Sequence, residues 1–296
     1  MAPVMQALVD AGQRTRLFAT WLDALDRENP DIAVVNPPFY LLAAVTKECL
    51  ARGIHVFAEK PFAITTSDLA ALRKLAFASG APKLMAMFTM RYTSEFLAGH
   101  QFVTLGGIGN PISVKAHKSY PLMGWDGNPR PWFYHHRTTY GGTIPWIGVH
   151  AIDLIRWFSG SAFTQVKAVH STVGNEGHGE MEATADMEFK LASGALAEVH
   201  LDFLRKRQYG PWGDDRLRVR GDRGVLEIQD GRIKVQTGTG EFRELDQEPV
   251  PSMFAAFLLW VERDIPMLLS TEDCFIATEI ALLARDSADQ GKVLPL

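Results

Sequence analysis

Cysteine is scarce in this chain, with only Cys49 and Cys274. Two thiols so far apart in sequence cannot form a disulfide framework, which excludes a small stapled secreted domain and fits a reducing cytosol. Neither belongs to a C-x-x-C, and no H-E-x-x-H occurs, so no metal site is expected. Long hydrophobic runs are also missing. The longest, residues 253–261, is far short of the ~20 residues of a membrane span, and the N-terminus shows no charged segment leading into an apolar core. Positive charge is not in excess: 30 Lys and Arg face 34 Asp and Glu, for a net charge of -4. That leaves no basic footprint for nucleic acid or anionic lipid. The expectation is a soluble, cytoplasmic protein. Finally, no G-x-G-x-x-G occurs anywhere in the chain.

What is present is an ordinary globular composition, 296 residues of which 47% are hydrophobic and 22% charged, enough for about two domains. Ile32-Ala33-Val34-Val35 is a continuous apolar run ended by Asn36-Pro37-Pro38, as expected of a strand buried on both faces. A helix is expected over 40–52, a strand over 55–58, a helix over 67–79 capped by Thr66 or Ser67, and a strand over 83–89. Strands separated by helices of about a dozen residues imply parallel βαβ units. Residues 1–26 read as mostly helical, so the strand 32–35 has no earlier strand to pair with. Beyond residue 93 the pattern changes to strands over 111–119, 165–173, 183–190, 195–203, 216–220, 225–229 and 232–236, with helices near 145–158, 252–264 and 271–289, the last capped by Ser270-x-x-Asp273. The reading is α/β plus α+β: an N-terminally incomplete parallel Rossmann-like sheet over 1–92, then a mainly antiparallel sheet domain with helices over 93–296.

Three blocks recur in a known order. They are Gly53-Ile54-His55-Val56-Phe57-Ala58-Glu59-Lys60-Pro61, then Gly141-Gly142-Thr143 leading to Gly148-Val149-His150-Ala151-Ile152-Asp153, and a C-terminal stretch from Ser270-Thr271-Glu272-Asp273 to Gly291. In this order and spacing the chain resembles the glucose-fructose oxidoreductase, inositol dehydrogenase and MocA (Gfo/Idh/MocA) family over roughly residues 19–296. The resemblance implies a nucleotide-binding Rossmann domain before an antiparallel substrate domain. It also implies hydride transfer between NAD or NADP and a secondary alcohol of a sugar, cyclitol or related small molecule, and a homo-oligomer formed through the antiparallel sheet.

Carried onto these residues, the resemblance makes Lys60 the group that hydrogen-bonds the reacting hydroxyl, with a Lys60-Pro61 bond that is often cis in the family, and makes His150 the acceptor of the hydroxyl proton. Histidine titrates near neutrality and suits that task. Many family members carry an aspartate four residues before the histidine; here that position is Trp146, whose indole N–H can only donate. Asp153, three residues after His150, is either its substitute or a structural residue. Asn36 and Pro37, Glu59, Lys60 and Pro61, and Arg91 after the third strand are candidates for contact with the cofactor. The aromatic and cationic segment 125–137 offers Trp132, Tyr134 and Arg137 as substrate contacts, beside Trp146 and Asp153.

A pyrophosphate cradle needs glycines so that backbone N–H groups and a helix N-terminus can close on the phosphates. By comparison with the family, the chain lacks the first strand, first helix and second strand, which makes binding of NAD or NADP doubtful. Three readings stay open. The fingerprint is encoded upstream of Met1; or the chain is a catalytically inactive member that binds a ligand or serves assembly; or nucleotide occupies a remnant cleft while another chain covers the bared strand.

Overall fold

The computed structural model describes residue 12 and residues 15–124, 127–206 and 212–296. The first helix, α1 (Trp21–Glu28), starts where the Thr20 side chain accepts a hydrogen bond from the Asp23 amide. Residues 15–20 carry no helix, so among the described residues the expected helix over 1–26 is confined to this short element; the rest of that expectation lies outside them. There follow β1 (Ile32–Val35), α2 (Phe39–Ala51), β2 (His55–Ala58), α3 (Thr66–Ala76) and β3 (Leu84–Ala86). The cap of α3 is Thr65, one residue earlier than expected. β3 ends at Ala86, because the chain turns into a 3₁₀ segment at Thr89–Tyr92.

These three strands form a parallel sheet in the order β1-β2-β3. Among the described residues β1 pairs with β2 only and is the edge of this sheet, with Val34 56% exposed. The second sheet follows α4 (Ser94–Thr104), a helix the sequence pattern did not suggest. It contains β4 (Pro111–Ser119), β5 (Phe163–Ser171), β6 (Thr184–Leu191), β7 (Leu196–Asp202), β8 (Asp214–Gly221), β9 (Gly224–Gln229), β10 (Arg232–Thr237), β11 (Arg243–Glu244) and β12 (Leu294–Pro295). Its nine strands run in the order β11-β10-β9-β8-β4-β7-β6-β5-β12. Every pairing is antiparallel except β4 with β7. That exception joins segments about 80 residues apart, with Ser119 level with Asp202 on one side and with Asp214 on the other.

One face of this sheet is covered by α6 (Val149–Ser159) and α8 (Thr271–Gln290), between them closing over strands such as β4 and β5. A short α5 (Arg137–Tyr140) precedes α6, and α7 (Met253–Arg263) precedes α8. α8 begins with a capping box between Ser270 and Asp273, as the sequence indicates. The C-terminal helices return to the parallel sheet. Phe254 and Phe257 of α7 meet Phe57 of β2 at 5.4 and 5.2 Å, and Phe275 of α8 meets Phe62 at 4.8 Å. Phe257 and Phe275 are fully buried, each contributing about 1.5–3 kcal/mol of burial. The two sheets are thereby held against a common cleft, into which the carboxyl end of β2 opens.

Candidate active site

Lys60 leaves the carboxyl end of β2, the position at which open α/β sheets present groups to ligands. The Lys60-Pro61 peptide is cis. The ammonium is buried and donates to the Trp146 carbonyl at 2.6 Å, with the Glu59 carboxylate 3.9 Å away. Burial is the main reason its pKa is lowered to about 8; Glu59 opposes the shift and Lys118 adds to it. Burial also raises the pKa of Glu59, against the pull of Lys60.

The opposing wall is built by the glycine-rich approach to α6. Gly141 and Gly142 have φ of 86° and 111°, a region that side chains with a Cβ rarely adopt. The chain then makes one turn of π-helix at Ile144–Gly148, anchored where Thr143 donates through its hydroxyl to the Glu182 carbonyl at 2.7 Å. Such turns interrupt the regular helical ladder and re-aim side chains. Gly148 lets this segment press onto the sheet, since a Cβ there would lie 2.9 Å from a Leu201 methyl. Trp146 and His150 are set by this arrangement. His150 packs edge-on against Phe88 at 5.7 Å, and its Nδ1 is buried with no hydrogen-bond partner among the described residues. Its pKa is pushed well below the ordinary value by burial, with the nearby charges of Lys60 and Lys118 adding to the effect. The ring is therefore neutral at pH 7.

Lys60, Trp146 and His150 line one cavity of about 180 Å³, closed by Tyr120, Arg130, Ile147, Phe203 and Trp212. Sequence reasoning missed Tyr120, Arg130, Phe203 and Trp212. Tyr120, Phe203 and Trp212 flank the aligned ends of β4, β7 and β8, and the parallel β4–β7 pairing that gathers them leaves no local signal. Behind Tyr120, Lys118 pairs with Asp215 at 2.5 Å, and the Tyr120 hydroxyl donates to the same carboxylate at 3.0 Å.

Other candidates are placed elsewhere. Asp153 does not orient His150: it is buried and receives the Arg91 guanidinium at 2.9 Å, while Arg91 also donates to the Leu268 carbonyl. That pair ties α6 to the segment after β3 and removes both residues from the cavity. Arg137 is not a cavity residue either, being drawn into ion pairs with Glu182 and Asp289. Trp132 is 59% exposed and rests beside Tyr40. Tyr134 packs on Trp146 at 4.8 Å, supporting the wall without lining it. Asn36 and Pro37 follow β1 at its carboxyl end, Asn36 exposed. Trp125 lies outside the described residues. His117, His200 and Asp202 bring ligand-type atoms within 4.8 Å of one another on the outer face of the large sheet, away from α6; there His200 Nδ1 also meets Asp186 at 2.7 Å.

Residues 6–86 match the model of an oxidoreductase family with an NAD-binding Rossmann fold, and residues 96–227 match the model of the GFO/IDH/MocA C-terminal domain. A Thermotoga maritima protein provisionally classed as an oxidoreductase is 36% identical, superposes with a TM-score of 0.94, and is matched over 100% of this chain and 89% of its own. The chain belongs to the Gfo/Idh/MocA family. An inositol 2-dehydrogenase of Burkholderia ambifaria is 23% identical over 63% of this chain, which spans 51% of that protein's length. A levoglucosan dehydrogenase solved in complex with NADH shares the fold, with a TM-score of 0.84 at 17% identity over 100% of this chain and 87% of its own. The parallel Rossmann-like sheet and the mixed sheet with helices are those of the Gfo/Idh/MocA architecture.

The family's cofactor is a nicotinamide dinucleotide, and this chain's residues fit one end of it. Three adjacent parallel strands present Asn36-Pro37, Glu59-Lys60 and Met87-Phe88 at their carboxyl ends, with the cavity of Lys60 and His150 beyond. No glycine turn follows any of these strands, so the fit covers the nicotinamide side and not a pyrophosphate cradle.

Proposed function

We propose that this protein oxidises a secondary alcohol of a sugar, cyclitol or related polyol with NAD or NADP, acting in the cytoplasm as a homo-oligomer. The observation that carries this reading is that Lys60 and a neutral His150 line the same buried cavity. When bound, the nicotinamide supplies the hydride acceptor. Lys60 donates a hydrogen bond to the substrate hydroxyl and stabilises the charge that develops on its oxygen. His150 takes the hydroxyl proton. A neutral ring is ready to accept and not to give, which suits oxidation over carbonyl reduction near neutrality. The cavity walls, Trp146 and Phe203 among them, exclude water from that exchange. Asn36, Pro37, Glu59 and Pro61 would border the nicotinamide side.

The variants Lys60→Met and His150→Asn each lower kcat by at least about 100-fold with the fold retained by circular dichroism; undiminished turnover in both would remove the catalytic assignment. A second reading is a catalytically silent ligand-binding or assembly protein on the same fold. Calorimetric titration with NADH and NADPH separates the two: saturable binding supports the dehydrogenase, and no binding by folded protein supports the silent member.

A further inference from the structure

Among the described residues, each buried cation around the site has a carboxylate beside it except Arg130. Lys118 has Asp215 at 2.5 Å, Arg91 has Asp153 at 2.9 Å, and Lys60 has Glu59 at 3.9 Å. Arg130 is 8% exposed and lines the cavity, yet among the described residues no carboxylate forms an ion pair with it. Its guanidinium lies 4.6 Å from the Trp146 ring and 4.9 Å from Phe203, two rings that are themselves stacked 5.1 Å apart. One Nη donates to the Pro121 carbonyl at 2.9 Å, and the buried Nε has no hydrogen-bond partner among the described residues. Aromatic faces, the Tyr134 hydroxyl and one carbonyl compensate only part of the cost of burying this charge, and burial lowers the Arg130 pKa against the pull of Tyr134. An unpaired buried donor on a charged group calls for an acceptor.

The rest of the lining agrees. No acidic side chain lines the cavity among the described residues, while Lys60 and Arg130 both do. A neutral polyol entering here would find donors and aromatic faces but no carboxylate to accept its hydroxyl protons. A ligand carrying its own carboxylate supplies what the walls omit. The volume of about 180 Å³ is below the ~300–1,000 Å³ of drug-sized sites, which limits the ligand to about one sugar unit.

We propose that the substrate is a carboxylated polyol, a sugar acid of the aldonate or uronate class, whose carboxylate pairs with Arg130 while a secondary hydroxyl lies between Lys60 and His150. This rests on the reading of the cavity as the substrate site. Arg130 is the specificity-determining residue, and it fixes which carbon is presented by holding the far end of the molecule.

The test is binding of gluconate and glucuronate against sorbitol and glucose, by calorimetry on the whole protein without cofactor. The carboxylates should bind at least about tenfold more tightly. Arg130→Met should abolish that preference, lowering carboxylate affinity far more than sorbitol affinity, whereas Arg130→Lys should keep part of it. Equal binding of acid and neutral polyol by wild type overturns the proposal, whether or not Arg130→Met folds. So does tighter binding of a sugar phosphate than of either acid, or a preference that survives Arg130→Met. Turnover is read separately by NAD(P)H absorbance: a neutral polyol oxidised without acid preference leaves the dehydrogenase standing and removes only the sugar acid. Acid-selective binding with no turnover removes the dehydrogenase and leaves the anion site.

Discussion

His150 and Lys60 are held by the same burial at opposite ends of their usefulness, and that sets the pH dependence. The His150 pKa is lowered well below 6.5, so the ring remains a proton acceptor as pH falls through the range where an exposed histidine would charge. The Lys60 pKa is lowered to about 8, so its positive charge is present below that pH and lost above it. If His150 accepts the proton and Lys60 acts as the charged donor, kcat/KM for oxidation should stay flat from pH 8 down through 6.5 and decline above about 8. Lys60→Arg keeps the charge at every accessible pH and should lose the alkaline decline in whatever activity remains. A rate that climbs through pH 8 instead would make neutral Lys60 the base. Both residues were legible in the sequence because each belongs to a short contiguous block. Arg130 was not singled out, since its lack of a carboxylate partner among the described residues is visible only once its neighbours are in place.

The elements carry the next level of constraint, and α6 is the one on which the site depends. Its entry is a π-helical turn pressed onto β6 and β7 at Gly148, and its inner end is tied down by Asp153 to Arg91. Removing one member of a buried pair strands the other charge, at a cost of about 3–5 kcal/mol. Asp273, 3.7 Å from Arg91, relieves part of it. Asp153→Ala should therefore lower Tm by roughly 10 °C in a thermal melt while leaving the pH profile of the remaining activity unmoved. A shifted acid limb without loss of Tm would return Asp153 to the role of orienting His150. The helix itself was legible from its apolar spacing, and β2, β4 and the capping box of α8 were placed to the residue or nearly so. The π-turn was not legible, because Ile144-Pro145-Trp146-Ile147-Gly148 reads as the first turn of an ordinary helix with proline near its start. Arg91 to Asp153 was equally hidden, since two residues 62 apart in sequence meet only through the packing of α6 on the segment after β3.

At the scale of the molecule, the two sheets have one uncovered region each. The parallel sheet ends at β1, whose edge is unpaired among the described residues. The large sheet is covered by helices on one face and open on the other, where a shallow concavity of about 530 Å³ is lined by Lys115, His117, Glu198, His200, Arg218 and Glu227. Both signs alternate across it, with Lys115 paired to Glu198 at 2.7 Å and Arg218 to Glu227 at 3.2 Å. A face that mixes its own charges in this way is self-complementary, which is what a two-fold interface requires, because each residue must find its partner on an identical surface. Ile112 and Leu196, both more than half exposed, add apolar area to the same sheet. Light scattering during size exclusion should accordingly give twice the 32.8 kDa chain mass. Lys115→Glu with Arg218→Glu removes the alternation and sets like charges opposite one another across the two-fold. That double variant should run as a monomer that keeps its fold by circular dichroism, because neither side chain enters the core of the chain. A wild-type protein that is already monomeric at low salt would leave the open face without a partner of its own kind. A dimer indifferent to both substitutions would move the interface elsewhere, and the bare edge of β1 would become the surface to substitute next.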